Sequence, residues 1–397
     1  MAVKTNFETN GYKYYKTTKT IGHNLDGTAI KKTFYGKSKT EAEEKAENYL
    51  TNIKSGMPFN FDKITLGQML DDWLYNIKRV SKDLRASSFE RYESTYKKHI
   101  KDTELTGLRL CDITTLPIQR FYNQKYNNGT TENQIKEINK VLKNFFSWCV
   151  EQEYIKRNPC SAKSIELPGK SEELGVDDEN EIYLFKDDEV EKIVLQSNKN
   201  NDNISIIVLL ALGTGLRQGE ILALPKKNLN LTNKTIKVEQ TLKKVKIYES
   251  QEKYYYENKL QKPKTKTSIR TVNIPDNLIS MLKNYIIKVE KKYNENNLSF
   301  SDDSLIFVTK TCSYIDAVDL RRSWRRFLER ACVNYQKFHA LRHTYASMLF
   351  KNGATILEVK ELLGHSDSKI TEKIYIHLYP ESKESIVNKL NDVFKTR

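Results

Sequence analysis

A chain of 397 residues, 38% hydrophobic and 29% charged, is long enough for two or three packed domains. It contains no apolar run near the ~20 residues that a membrane span requires, which excludes a helical membrane protein. Its 66 Lys and Arg outweigh 51 Asp and Glu to give a net charge of +15, so a polyanionic partner is expected; duplex DNA is the usual one, and charge alone also fits RNA. The opening Met-Ala-Val-Lys-Thr-Asn has no apolar signal region, and the widely spaced Cys111, Cys149, Cys160, Cys312 and Cys332 fit reduced thiols, so a cytoplasmic location is expected.

Residues 1–58 read as a small α+β domain. Residues 11–21 and 29–35 alternate like strands around a turn at 23–27, and Thr40 with Glu43 predicts a capping box opening a helix to about residue 53. Eight lysines face two acids over residues 1–40, which fits contact with nucleic acid. Residues 63–165 read as an all-helical domain. Thr65 and Gln68 cap a first helix bearing Leu66, Met69, Leu70, Trp73 and Ile77 on one side. A second helix begins near Ser87 with Phe89, Tyr92 and Tyr96. A third spans about 118–126, and a fourth carries Ile135, Ile138, Val141, Leu142, Phe145, Phe146 and Cys149. The polar face with Lys78, Arg79, Lys82 and Arg85 suits phosphate contacts.

Residues 166–181 are polar and acidic with Pro and Gly, and read as a linker to a third domain, 182–397. There a helix starts near Asp187, and a buried helix over 204–212 leads into Gly213-Thr214-Gly215-Leu216-Arg217-Gln218-Gly219-Glu220. Residues 234–248 and 269–274 alternate like antiparallel strands, with a lysine cluster at Lys262, Lys264 and Lys266 as a hairpin tip or strand start. Residues 249–262, including Tyr254, Tyr255 and Tyr256, exceed a tight hairpin and read as a DNA-touching insert or a solvated loop. Helices follow over 277–293 and 318–332. Then come His339-Ala340-Leu341-Arg342-His343-Thr344, Leu363-Gly364-His365-Ser366 and Tyr375-Ile376-His377, and an amphipathic tail helix over 381–394.

These parts suit attack on a phosphodiester. Arg217 and Arg342 offer permanently charged forks for the non-bridging oxygens, and His365 a third donor. A phenol of pKa about 10 needs a base, for which His339 titrates in the right range, and a 5′ oxygen needs an acid, for which Lys264 serves. Tyr375 is then the nucleophile. Each piece has a plainer reading. Arg217 pairs with Glu220 at a helix start. His339 and His343 stand at metal-ligand spacing, but no third ligand accompanies them, so no metal and no cofactor are expected. Among 23 tyrosines, Tyr345 reads as core, and Tyr379 lies one turn past Tyr375 beside the helix-ending Pro380. Lys266 shares a face with Lys264 on an extended chain and stays open as the acid.

In their order, Gly-Thr-Gly-Leu-Arg217-x-Gly-Glu220, Lys264, His339-x-x-Arg342, Gly-His365 and Tyr375-x-His377 resemble the tyrosine recombinases, the integrases of phages and conjugative transposons. The resemblance implies a multidomain tyrosine recombinase fold with an arm-type DNA-binding domain, a helical core-binding domain and a mainly helical catalytic domain with a small antiparallel sheet. It implies that Arg217, Lys264, His339, Arg342 and His365 surround the phosphate while Tyr375 attacks it to form a 3′-phosphotyrosine link. It implies double-stranded DNA as partner, a dimer on one site, a tetramer in synapsis, a possible accessory excision factor, and residence with the bacterial nucleoid. The tail helix packs in the same or a neighbouring subunit. The rival readings are a relaxing or hairpin-resolving enzyme using the same tyrosine, and a non-catalytic DNA-binding protein.

Overall fold

The computed structural model describes residues 6–9, 12–23, 28–54, 63–81, 84–161, 163, 165–169, 182–250, 253–263, 266–364 and 369–378. They fall into two compact units, within residues 1–175 and 176–397. None of the described helices is long and apolar enough to cross a membrane.

In the first unit, β1 (Phe7–Thr9), β2 (Tyr12–His23) and β3 (Ala29–Gly36) form an antiparallel sheet in that order. Ile21 and Phe34 face α1 (Lys39–Lys54), whose Ala46 and Tyr49 complete a small core. Lys16, Lys19 and Lys31 are exposed. The cap of α1 is not the expected Thr40 and Glu43. Ser38 Oγ accepts the Glu41 N–H at 3.1 Å, and the Glu41 carboxylate accepts the Lys37 N–H at 2.7 Å. The strand-to-helix turn is too tight for a later start: a Cβ on Gly36 would lie 2.6 Å from the Ala42 nitrogen.

Thr65 opens α2 (Leu66–Asp72) with the expected box, its Oγ1 accepting the Gln68 N–H at 3.3 Å while Gln68 Oε1 accepts the Thr65 N–H at 3.1 Å. α2 runs on into a π-helical turn over Trp73–Lys78, and α3 (Ala86–Thr95) into another over Tyr96–Ile100. A π turn is wider than 3.6 residues, so the apolar stripe loses phase there. Ile77, expected on the inner side, is accordingly 39% exposed, while Glu93 is buried and bonded to Tyr75 and Lys97. After α4 (Glu104–Gly107) and α5 (Thr115–Asn127), α6 (Glu132–Glu151) buries the whole predicted stripe from Ile135 to Cys149. Full burial of such side chains contributes about 1.5–3 kcal/mol each, which makes α6 the main prop of the helical half.

The second unit is built around α8 (Asn203–Thr214), apolar on all sides and enclosed by α7 (Asp187–Lys199), α9 (Gln218–Leu222), α10 (Asp276–Glu295), α11 (Ala317–Arg330) and α12 (Ala340–Lys351). Asp202 caps α8 by accepting the Ser205 N–H at 3.0 Å. Trp324 of α11 packs between the rings of Phe185, Phe327 and Phe338 and donates its indole N–H to the Gln336 carbonyl at 2.8 Å. α13 (Ile356–Leu363) and α14 (Lys369–Leu378) close a second cluster with α12 through Ala346, Phe350, Val359, Leu363 and Ile374.

The strands depart from expectation. Residues 234–248 are two strands, β5 (Thr235–Val238) and β6 (Thr241–Tyr248), because Gln240 turns away to donate to the Ala223 carbonyl at 2.6 Å. Most of the supposed insert is β7 (Tyr254–Gln261), paired along its length with β6 from Tyr248 opposite Tyr254 to Thr241 opposite Gln261. β5 instead lies between β4 (Leu229–Asn230) and β8 (Arg270–Asn273). β7 and β8 pair with different strands, so Lys262, just after β7, and Lys266, which opens a 3-10 turn over Lys266–Ser268 before β8, are not at the tip of a hairpin. The linker core 170–181, Lys264, His365, Tyr379 and the tail helix over 381–394 lie outside the described residues.

Candidate active site

α8 ends at Gly215, whose φ of +64° is the left-handed cap that glycine adopts without strain. A side chain there would strike the Tyr345 ring and Leu363. The chain then extends through buried Leu216 to Arg217, the N-cap of α9. Glu220 binds this arginine twice, accepting its backbone N–H at 2.9 Å and its Nη1 at 2.7 Å. The other end of the guanidinium, Nη2, points to the Gly364 carbonyl at 3.4 Å, and the side chain keeps 35% of its surface open.

Arg342, one turn into α12, is 2% exposed. Its Nη1 donates to the Gly215 carbonyl and its Nη2 to the Leu363 carbonyl, both at 2.7 Å. These carbonyls belong to the C-terminal ends of α8 and α13, where unpaired oxygens and the helix dipoles favour a cation. Arg342 thus welds two helix ends, and its buried Nε has no hydrogen-bond partner among the described residues. Burial, and after it the charge of Arg217, press its pKa well down.

His339 precedes α12, and its ring stands at 88° to that of His343, centroids 4.7 Å apart. Desolvation, then the charges of His343, Arg342 and Arg217, pull His339 down to about 4. One face of it remains exposed. Burial, then Arg342, takes His343 to about 4 as well, and its Nδ1 is buried with no hydrogen-bond partner among the described residues. Both imidazoles are therefore neutral near pH 7, and His339 is a free base beside two guanidinium groups.

The structure brings Arg217, Arg342 and His339 together. It does not show Lys264 or His365, although Gly364, the residue before His365, takes a left-handed φ of +64° against β8. Tyr375 sits on α14, half-buried, its ring edge-on to Phe350 at 5.3 Å. Among the described residues no three His, Cys, Asp or Glu side chains gather as metal ligands.

One residue of this site escapes a sequence reading. Arg270, on β8, is 7% exposed and binds Glu220 from the other side, Nη2 to Oε2 at 3.0 Å. Burial alone would raise the Glu220 pKa, but Arg270 and then Arg217 outweigh it and hold the carboxyl below its usual range. Strand alternation was the available signal, since Arg270 shares the inward side with Val272 and Ile274.

Residues 184–382 match the phage integrase family, and residues 65–126 match the N-terminal SAM-like domain of phage integrases. A XerC-like tyrosine recombinase of Caldanaerobacter subterraneus is 41% identical over 99% of this chain and all of its own. The ICEBs1 integrase of Bacillus subtilis is 26% identical over 78% of this chain and 79% of its own. Among solved structures, the Tn1549 transposon integrase with a circular intermediate DNA shares the fold at a TM-score of 0.62 and 18% identity, covering 83% of this chain and 100% of that one. A lambda integrase dimer bound to a core site aligns with a TM-score of 0.52 at 18% identity, covering 78% and 95%. With its second unit matched almost throughout and a relative aligned end to end, the chain belongs to the phage integrase family and is a tyrosine-type site-specific recombinase.

Proposed function

We propose that the enzyme integrates and excises a mobile element by cutting one DNA strand at a time through Tyr375. Arg217 and Arg342 hold the non-bridging oxygens of the scissile phosphate, with His365 as a third donor. Neutral His339 takes the phenolic proton as the tyrosine oxygen attacks phosphorus. Lys264 protonates the departing 5′ oxygen, leaving a 3′-phosphotyrosine. Reversal with the 5′ hydroxyl of another strand rejoins DNA, because one phosphoester is exchanged for another and no energy source is consumed. The observation that carries the reading is Arg342, a buried guanidinium fixed by two helix ends, its Nε without a partner among the described residues and Arg217 and His339 beside it.

Two surfaces of the second unit support duplex DNA as the substrate. The outer side of α11 exposes Arg321, Arg322, Arg325, Arg326 and Arg330, a dense row for phosphates and guanine edges. The β6–β7 ribbon exposes Tyr254, Tyr255 and Tyr256, stiffened by Lys246 lying 3.7 Å over the Tyr254 ring. In the first unit the lysines of β2 and β3 serve the arm-type role. The assembly is a dimer on one site and a tetramer when two sites pair, working at the bacterial nucleoid, with an accessory factor biasing excision.

The test is covalent trapping on a nicked duplex carrying the element end, with EDTA present. A protein–DNA band that survives denaturation and vanishes in Tyr375→Phe is expected. A band lost only in Tyr379→Phe moves the nucleophile one turn, and no band despite demonstrated binding overturns the reading.

A further inference from the structure

Arg270 is a buried cation that none of the steps above uses. Its side chain is 7% exposed, yet it reaches three elements. Nε donates to the Leu362 carbonyl at 2.9 Å, in the last turn of α13. Nη1 lies 3.3 Å from Glu220 Oε1 and 3.3 Å from the Ser268 carbonyl, and Nη2 is 3.0 Å from Glu220 Oε2. Gly364 packs directly on it: a Cβ there would lie 2.9 Å from Arg270 Cδ and 2.9 Å from the Thr267 carbonyl. Glu220 is shared, because each of its oxygens serves Arg217 and Arg270 at once.

That sharing has an electrostatic consequence. A buried carboxylate facing Arg217 alone would form a neutral pair, cancelling the charge the phosphate needs and drawing the guanidinium inward. With Arg270 on its far side, the trio keeps a net positive charge, and Glu220 fixes Arg217 without neutralising it. The Leu362 bond ties the same residue to the helix end whose next carbonyl, Leu363, holds Arg342.

We propose that Arg270 is a positioning residue for strand cleavage, offsetting Glu220 so that Arg217 presents its full charge to the scissile phosphate, and locking the α13 end to the arginine turn. The inference rests on the reading that Arg217 binds that phosphate.

The experiment measures cleavage rate at saturating nicked duplex, duplex Kd and thermal melting for Arg270→Gln, Glu220→Gln, their double variant and Arg217→Gln. Arg270→Gln is expected to slow cleavage about 10- to 100-fold, the scale of a misplaced catalytic group, with Kd nearly unchanged. The double variant is expected to cleave faster than Arg270→Gln, because removing the carboxylate releases Arg217. A purely structural Arg270 would instead make the double variant worse than either single one, and that result, or wild-type cleavage by Arg270→Gln, overturns the proposal. If Arg270→Gln fails to fold, Arg270→Lys decides. It keeps the charge but cannot span Glu220 and Leu362, so slower cleavage at unchanged Kd supports the lock on the α13 end and a wild-type rate overturns that lock. Wild-type cleavage by Arg217→Gln would sink the underlying reading, whereas a harmful Arg217→Gln beside a harmless Arg270→Gln sinks this inference alone.

Discussion

Tyr375 meets Phe350 edge to face, centroids 5.3 Å apart and rings at 76°. Phe350 is eight residues beyond Arg342 on α12, so the contact lies about 12 Å along the helix axis from the buried arginine. Tyr375 packs against the apolar cluster that α14 forms with α12 and α13. The contact supplies a measurable hold on the tyrosine.

Tyr375→Phe and Tyr375→Ala separate the hydroxyl from the ring. Both are expected to abolish the covalent band. The phenylalanine keeps the edge contact, whereas alanine also loses an aromatic pair worth about 0.5–1.5 kcal/mol beyond its buried area. Thermal melting should therefore rank the alanine variant below the phenylalanine one. Equal melting points would show that the ring contact contributes nothing.

Arg342 and Arg217 should separate chemistry from stability. Arg342→Lys cannot bridge the Gly215 and Leu363 carbonyls at once, so it leaves a buried acceptor unpaired in addition to removing a charge fork. Loss of a fixed donor at developing charge costs roughly 100- to 1,000-fold in rate, and an unpaired buried polar group about 1–3 kcal/mol. Arg217→Lys, at a site 35% open, is expected to lose comparable cleavage with a much smaller fall in melting temperature. Equal melting for the two variants contradicts the weld between α8 and α13.

Much of this architecture is legible in local pattern. Ile135 to Cys149 follow one helical face, and the stripe is where periodicity puts it, behind a Thr131–Gln134 capping box that the structure adds. The motifs around Arg217 and Arg342 mark one chemistry although 124 positions separate the two residues, Arg217 to Arg342 spanning hairpin, sheet and two long helices. What local pattern misses is decided at a distance. The break between β5 and β6 depends on Gln240 reaching Ala223, the outward turn of Ile77 on a π turn, and the role of Arg270 on carboxylate and carbonyl partners 50 and 92 residues away.

The histidine pair predicts an acid-sensitive fold. Both rings sit near a pKa of about 4 against 6.5 unperturbed, so the unfolded chain binds more protons than the native one between those values. Their stabilising effect is complete above about pH 6.5 and is lost as pH falls toward 4. Melting temperatures at pH 7, 5.5 and 4.5 should fall more steeply for the wild type than for His343→Gln, which removes one titrating group. Parallel curves would mean that His343 takes up its proton equally in the folded and unfolded chain.

The row on α11 makes a prediction about salt. Arg321 and Arg326 are exposed on α11 while Trp324 and Phe327 are buried, and each phosphate contact contributes about −0.9 to the slope of log affinity against log salt. Arg321→Gln with Arg326→Gln should flatten that slope by roughly 2 units if both touch phosphates. Neither residue supports the core, so melting should stay within the range of ordinary surface changes, about 0.5 kcal/mol. An unchanged slope removes α11 from the DNA-facing surface. A flatter slope combined with altered preference among duplex sequences would show that one of the two reads a guanine edge, since a phosphate contact weakens all sequences alike.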